Sequence, residues 1–218
     1  MGQIEFAGLP LPVGSPRACE ACGIATIYQE FSLVPGLSAV QNVFLGHETS
    51  VPGRATARGA AMRARTAGLL AELLGREGTS LDVDRPVRDL SVPERQMVEI
   101  ARALTRDSRL ILMDEPSATL TEQETARLHA TVRGLRALGV SVLYISHRLG
   151  EVLSLADRTT ILRDGRQVET LPASEATLDR LIRGMVGRSI GEHYPKEAAE
   201  PGELLLEVSL PESLPVRV

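Results

Sequence analysis

Leu110-Ile111-Leu112-Met113-Asp114-Glu115-Pro116 is the stretch on which the reading of this chain turns. Four apolar residues run into two adjacent carboxylates and a proline. The apolar run suits a buried strand and is too short for a helix. The acidic pair therefore sits where the strand leaves the core. In α/β proteins that carboxyl end is the usual place for ligand and metal chemistry. The plain alternative is a strand followed by a solvated acidic turn.

Downstream, Thr121-Glu122-Gln123-Glu124 is a capping box. It starts a helix with Leu128, Val132, Leu135 and Leu138 on one face, stopped by Gly139. Val140–Ile145 then reads as a second buried strand, ending at Ser146-His147. Strand, helix and strand make a right-handed βαβ unit, so the two strands are parallel. Asp114 and Glu115 should then share an edge with His147. Upstream, Ser91-Val92-Pro93-Glu94 is another capping box, and Met97, Ile100, Ala101 and Leu104 mark the inner face of its helix. Further upstream, Ile24–Tyr28 reads as a strand ending at Gln29-Glu30. If it is parallel too, Gln29 joins the same edge.

The remaining segments are less decisive. Residues 3–16 read as a short hairpin and 17–22 as a short helix. Pro35-Gly36 is a turn, and the helix of 38–46 turns Val40, Val43 and Phe44 inward. Residues 49–58 read as a loop and 59–74 as an Ala/Arg/Leu helix ending at Gly75, with a break near Pro86. After His147 the pattern predicts a helix to about Ala156, a strand at 159–162 and a turn at Asp164-Gly165. A last helix carries Leu178, Leu181, Ile182, Met185 and Val186 on one face and ends at Gly187.

The 218 residues carry a net charge of −4, which gives no global case for binding nucleic acid. Lys196 is the one lysine, and tryptophan is absent. The cysteines are Cys19 and Cys22. A single C-x-x-C pair without nearby histidine reads as two small buried residues in a helical turn rather than as a zinc or redox site. Reduced cysteines suit a cytoplasmic setting. No apolar run is long enough to span a membrane, and the first residues do not have the pattern of a signal peptide.

An Asp, a Glu, a Gln and a His at strand ends on one edge suit nucleotide hydrolysis. An Asp can hold Mg²⁺, a Glu can orient or deprotonate water, a Gln can join the metal shell and a His can contact a terminal phosphate. Phosphoryl transfer needs mainly such positioning and charge stabilisation.

These residues resemble the ATP-binding-cassette (ABC) ATPases. Ile27-Tyr28-Gln29-Glu30 is similar to the Q-loop, Leu90–Gln96 to the signature, Leu110–Glu115 to Walker B, Ser117–Leu120 to the D-loop and Ile145–Arg148 to the H-loop. They stand in the family's order at about its spacing. The wording YQEFSLVPGLSAVQNVFLG, QMVEIARAL, DEPSATLT, YISHRLGEV and MVGR resembles the two-cassette subunits of ribose-, galactose- and xylose-type importers.

The resemblance implies an α/β fold: an ABC cassette of the P-loop NTPase type, incomplete, with a mostly parallel sheet and a helical subdomain at about 30–105. Residues 1–187 would be a first nucleotide-binding domain, 188–202 a linker and 203–218 the start of a second cassette. It implies ATP and Mg²⁺ as ligands. Asp114 and Gln29 would hold the metal, Glu115 would be the catalytic base and His147 the switch histidine. Ser91 would contact ATP across a head-to-tail dimer. The implied partners are permease subunits, a second cassette and, indirectly, a sugar-binding protein. The implied place is the cytoplasmic face of the bacterial membrane.

Two departures bear on activity. Pro93 stands where the family usually has glycine, and it removes an N–H that could face a phosphate. No G-x-x-x-x-G-K-S/T run occurs in these residues; the resemblance places it just upstream of Gly2–Phe6. The expectation is a chain that hydrolyses ATP poorly alone and leaves part of its apolar surface exposed. The rival readings are an inactive interaction module that pairs with a complete cassette, and an ABC-type ATPase of DNA repair or translation.

Overall fold

Leu110–Asp114 forms a strand whose Ile111 and Met113 are completely buried. The computed structural model describes residues 3–187 apart from Val13, Gly53 and residues 75–80. The linker and second-cassette segments expected beyond Gly187 lie outside the described residues. The elements are β1 (Glu5–Phe6), β2 (Leu9–Pro10), α1 (Pro16–Ala21), β3 (Ile24–Ile27), α2 (Ala39–Phe44), α3 (Ala55–Leu74) and α4 (Val92–Thr105). They continue with β4 (Leu110–Asp114), α5 (Glu122–Ala137), β5 (Ser141–Ile145), α6 (Leu149–Leu155), β6 (Arg158–Arg163), β7 (Arg166–Pro172) and α7 (Leu178–Val186).

The central sheet is parallel, in the order β3-β4-β5, with Ile27 opposite Met113 and Met113 opposite Tyr144. The register brings the carboxyl ends of all three strands to one edge, as the βαβ reading requires. Two antiparallel hairpins, β1-β2 and β6-β7, stand apart from this sheet. The fold is thus mixed α/β. One continuous core joins β3 and β4 to α2, α4 and α5 through Ile27, Val43, Phe44, Ile100, Met113 and Leu135. Burying side chains of this size is the main favourable term, roughly 1.5–3 kcal/mol each.

Capping sets the helix starts. Ser91 and Thr121 each form a full capping box with Glu94 and Glu124, as their sequences predict. Ser38 does the same for α2 with Gln41. A second, small core unites Ile161, Leu171 and Leu181 beneath the β6-β7 hairpin and α7. There α7 passes so close to β6 that a Cβ on Gly184 would lie 2.5 Å from Ile161 Cδ1. The hairpin turn places Asp164 and Gly165 at φ 51° and 71°, the pair of positive values that a tight two-residue turn demands.

The structure corrects several expectations. Helix α3 begins at Ala55, within the segment read as loop, because Ala55–Arg58 can extend a helix whose body is already stable. Leu138 is 53% exposed: it is the residue after the last turn of α5, and the chain leaves the helix there. β5 is not a buried strand. Leu143 and Ile145 are 52% and 47% exposed, because β5 is the sheet's edge among the described residues and that face is uncovered. This matches the expected exposed apolar surface. On α7 only Leu181 is fully buried, since the small hairpin covers a narrow strip of the helix. Cys19 is half-buried and Cys22 exposed, so neither is the buried small residue expected.

Candidate active site

The parallel register decides which predicted residues meet. Glu115 follows β4 and His147 follows β5 by two residues. The ladder continues past Asp114, where the Glu115 N–H donates to the Ile145 carbonyl at 3.0 Å. The His147 Nδ1 and Glu115 Oε1 atoms are 3.0 Å apart. With a carboxylate as partner, Nδ1 carries the proton and donates, which sets the imidazole tautomer. The His147 side chain is 63% exposed and that of Glu115 31%, so the pair is open to a ligand.

Glu115 has φ 46°, in the left-handed region that a glutamate rarely occupies. Such strain, of order 1–2 kcal/mol, survives only where the surrounding structure enforces it. Here the enforcing contacts are the ladder bond to Ile145 and a turn in which the Ala118 N–H donates to the Glu115 carbonyl.

Gln29, beyond β3, lines a cleft of about 270 Å³ together with Glu30, Phe31, Gln96, Glu115 and Thr119. Asp114 is exposed at the end of β4, beside the cleft rather than in its lining. Ser91 is separate: its N–H donates to Glu94 Oε2 at 2.7 Å and its Oγ caps the helix. Helix α4 still reaches the site, because Gln96 Nε2 donates to the Pro116 carbonyl at 2.8 Å. The structure therefore joins Glu115 to His147, places Gln29 in the same cleft as Glu115, sets Asp114 alongside and leaves Ser91 outside. Gln96 was missed, although it lies five residues beyond Ser91 in the same motif.

Among the described residues no group of three or more His, Cys, Asp or Glu is placed to hold a metal by itself. Asp114 and the Gln29 side-chain amide offer hard oxygen donors. Such a set suits Mg²⁺, which keeps waters and phosphate oxygens in its shell.

Residues 1–118 match the family described as ABC transporter. This chain belongs to the ABC transporter family. It is 46% identical over 207 residues to "Ribose import ATP-binding protein RbsA 3" of Rubrobacter xylanophilus, covering 95% of this chain and 41% of that protein. It is 42% identical over 207 residues to "Xylose import ATP-binding protein XylG" of Burkholderia cenocepacia, covering 95% and 39%. The ABC chain thus spans about two fifths of the length of the curated relatives it matches. In fold it is similar to a crystal structure of the ADP conformation of an ATP-binding cassette of an ABC transporter, with TM-score 0.66, 20% identity and coverage of 86% and 78%. A dimeric post-hydrolysis cassette bound to ADP and Pi gives TM-score 0.64 at 22% identity, covering 79% and 74%. No helix among the described residues of this ABC chain is long and apolar enough to cross a membrane.

Two buried carboxylates lie near the candidate site. Glu151 of α6 is 8% exposed. Its Oε2 accepts from Ser117 Oγ at 2.6 Å, Tyr144 Oη at 2.9 Å and Ser146 Oγ at 3.4 Å. Arg148 lies 3.4 Å from its Oε1. Burial works to raise this carboxyl, but the hydrogen bonds from Ser117, Tyr144 and Arg148 together outweigh it and hold it below the ordinary glutamate value. Burial, and donation to Glu151, push the Tyr144 hydroxyl up. His129 packs edge-on to Tyr144, and burial pushes its imidazole down despite Glu151 nearby.

Glu99 of α4 is 1% exposed. Its Oε1 accepts from the Ser32 N–H at 2.8 Å and the Ser32 hydroxyl at 3.0 Å, and Arg102 also reaches both Glu99 and Ser32. Its Oε2 has no partner among the described residues. Burial therefore dominates and raises its carboxyl, against the lowering effects of Ser32 and Arg102. Neither carboxylate stood out in the sequence. Each has one partner far along the chain: Ser117 is 34 residues from Glu151, and Ser32 is 67 from Glu99.

Proposed function

We propose that this chain is part of the ATP-hydrolysing, energy-coupling subunit of a carbohydrate importer. The relatives named for ribose and xylose import support the substrate class. The observation that carries the catalytic reading is the Glu115–His147 contact of 3.0 Å at the carboxyl edge of the parallel strands. Glu115 orients the attacking water and takes its proton. His147 is held by Glu115 and contacts the terminal phosphate. Asp114 and Gln29 are the oxygen donors for Mg²⁺, which when bound supplies charge neutralisation on the phosphates. Ser91, at the N-terminus of α4, meets ATP held by an opposing cassette, where a capped helix start favours an anion. The partners are permease subunits at the cytoplasmic face of a bacterial membrane, a second cassette and, through the permease, a sugar-binding protein.

The 218 residues contain no G-x-x-x-x-G-K-S/T run to cradle the phosphates. By themselves they therefore turn over ATP slowly. A second reading, an inactive module that lends Ser91 to a complete cassette, is favoured by the exposure of Ser91 outside the chain's own cleft.

Steady-state ATP hydrolysis of the purified chain, alone and with a complete cassette, tests both. Turnover alone near one per second, abolished by Glu115→Gln, would overturn slow stand-alone hydrolysis. In the mixture, Glu115→Gln in this chain lowers its contribution by about 10²–10⁴-fold if Glu115 is the base. An unchanged rate removes that role, and ATP-dependent pairing seen by isothermal titration then leaves the module reading.

A further inference from the structure

We propose that Glu151 is a positioning residue for the Glu115–His147 pair: one buried carboxylate fastens together the two chain segments whose ends form that contact. The inference rests on the reading of Glu115 and His147 as the hydrolytic pair. Glu115 is followed by Pro116 and then by Ser117, which is 2% exposed and donates to Glu151 Oε2 at 2.6 Å. His147 is preceded by Ser146 and by Tyr144, which donate to the same oxygen at 3.4 and 2.9 Å. Thus the residue two places after Glu115 and the residue just before His147 converge on a single atom.

Two further contacts tighten the same junction. The Arg148 guanidinium reaches Glu151 Oε1 at 3.4 Å and the Ala118 carbonyl at 3.3 Å. The Arg148 N–H donates to Ser146 Oγ at 3.0 Å, orienting that hydroxyl toward the carboxylate. Among the described residues, the remaining titratable group facing Glu151 is His129 of α5, whose Nε2 lies 4.0 Å from Oε2. Glu151 itself touches neither Glu115 nor His147 in any contact above. It acts through Ser117 and Ser146, and its place on α6 ties the pair to a helix.

This differs from general support of the fold. A core carboxylate could stabilise α6 without affecting the pair. Here the donors come from the segment after β4 and from the end of β5, and the pair stands on these two segments. The bonds from Ser117 and Tyr144, at 2.6 and 2.9 Å, are short and charge-assisted, so they define position as well as adding stability.

The test reads the pair directly, without nucleotide. In the ¹⁵N-labelled full chain, Glu115→Gln moves the His147 Nδ1 resonance, because the imidazole loses its carboxylate partner. In the Glu151→Leu background the same replacement moves it by less than half as much. Glu151→Gln, whose amide oxygen can still accept from Ser117 and Tyr144, restores most of the response, which a purely bulk role would not require. A full-sized response in Glu151→Leu, with native circular dichroism, overturns the proposal. If that variant does not fold, Ser117→Ala decides: it cuts the direct hydrogen bond from the segment after Glu115 to Glu151, and an undiminished response there overturns the proposal. No movement on Glu115→Gln in the otherwise unaltered chain overturns the pair and the proposal together. Movement that is indifferent to Glu151 and Ser117 overturns the proposal alone.

Discussion

Glu151 and Glu99 are both glutamates on helices, both buried, and both tied to a segment flanking the cleft, yet their carboxyls are displaced in opposite directions. At Glu151 three hydroxyls converge on Oε2 and an arginine approaches Oε1. At Glu99 Ser32 and Arg102 crowd Oε1, and Oε2 has no partner among the described residues. Burial alone therefore does not decide whether a carboxylate is comfortable. What matters is whether both oxygens find donors. The first arrangement is a hydrogen-bonded hub between the segment after β4, the end of β5 and α6. The second is a junction between the Gln29 segment and α4 whose charge is under-compensated.

The contrast makes predictions. Glu151→Leu should destabilise the chain most, by about 3 kcal/mol, because it leaves the buried Ser117 and partly buried Tyr144 hydroxyls without this acceptor. Denaturant unfolding of the full chain measures this. A loss no larger than that of Glu99→Gln would erase the distinction. Tyr144→Phe removes one of three donors to Oε2 and should cost about 1 kcal/mol by the same measurement. Glu99→Gln keeps an acceptor for Ser32 and discards a poorly compensated charge, so stability should change by less than about 1 kcal/mol, with neutrality or gain expected at neutral pH.

The finest test uses pH. Glu151 has a depressed folded pKa, so its ionisation contributes stability that is present above the unfolded value of about 4.3 and is lost as pH falls through the folded value. The deficit of Glu151→Gln should therefore shrink on acidification. Glu99 has a raised folded pKa, so the folded state holds its proton more tightly. Its effect runs the other way: wild-type stability falls as pH rises from about 4.3 through the raised value. The balance between Glu99→Gln and wild type should then shift toward the variant as pH rises. Melting temperatures of both variants across that range should diverge in opposite senses from wild type, and parallel profiles would contradict the contrast.

Much of the site was legible before any fold was known. Adjacent carboxylates after a short apolar run, a histidine after the next run and a glutamine after an earlier one are local signals. They needed only the βαβ rule to be placed on one edge. The capping boxes at Ser91 and Thr121 were equally legible, since their partners lie three residues away. Leu138, Leu143 and Ile145 misled, because an apolar pattern marks the face a segment can bury and does not say whether anything covers it. Glu99 and Glu151 were invisible for a related reason. In sequence each is an ordinary helix glutamate, and one hydroxyl donor to each, Ser117 and Ser32, comes from 34 and 67 residues away.

The sequence alone thus determined the strand, its acidic exit, the helix starts and the set of polar strand ends, because all of these rest on interactions within a few residues. The tertiary structure decided that Glu115 and His147 stand 3.0 Å apart, that Ser91 lies outside their cleft and that β5 is the sheet's edge among the described residues. It also decided the opposite fates of two buried carboxylates. A carboxylate's energy depends on which donors reach it once water is excluded, and that is settled only when distant segments pack together.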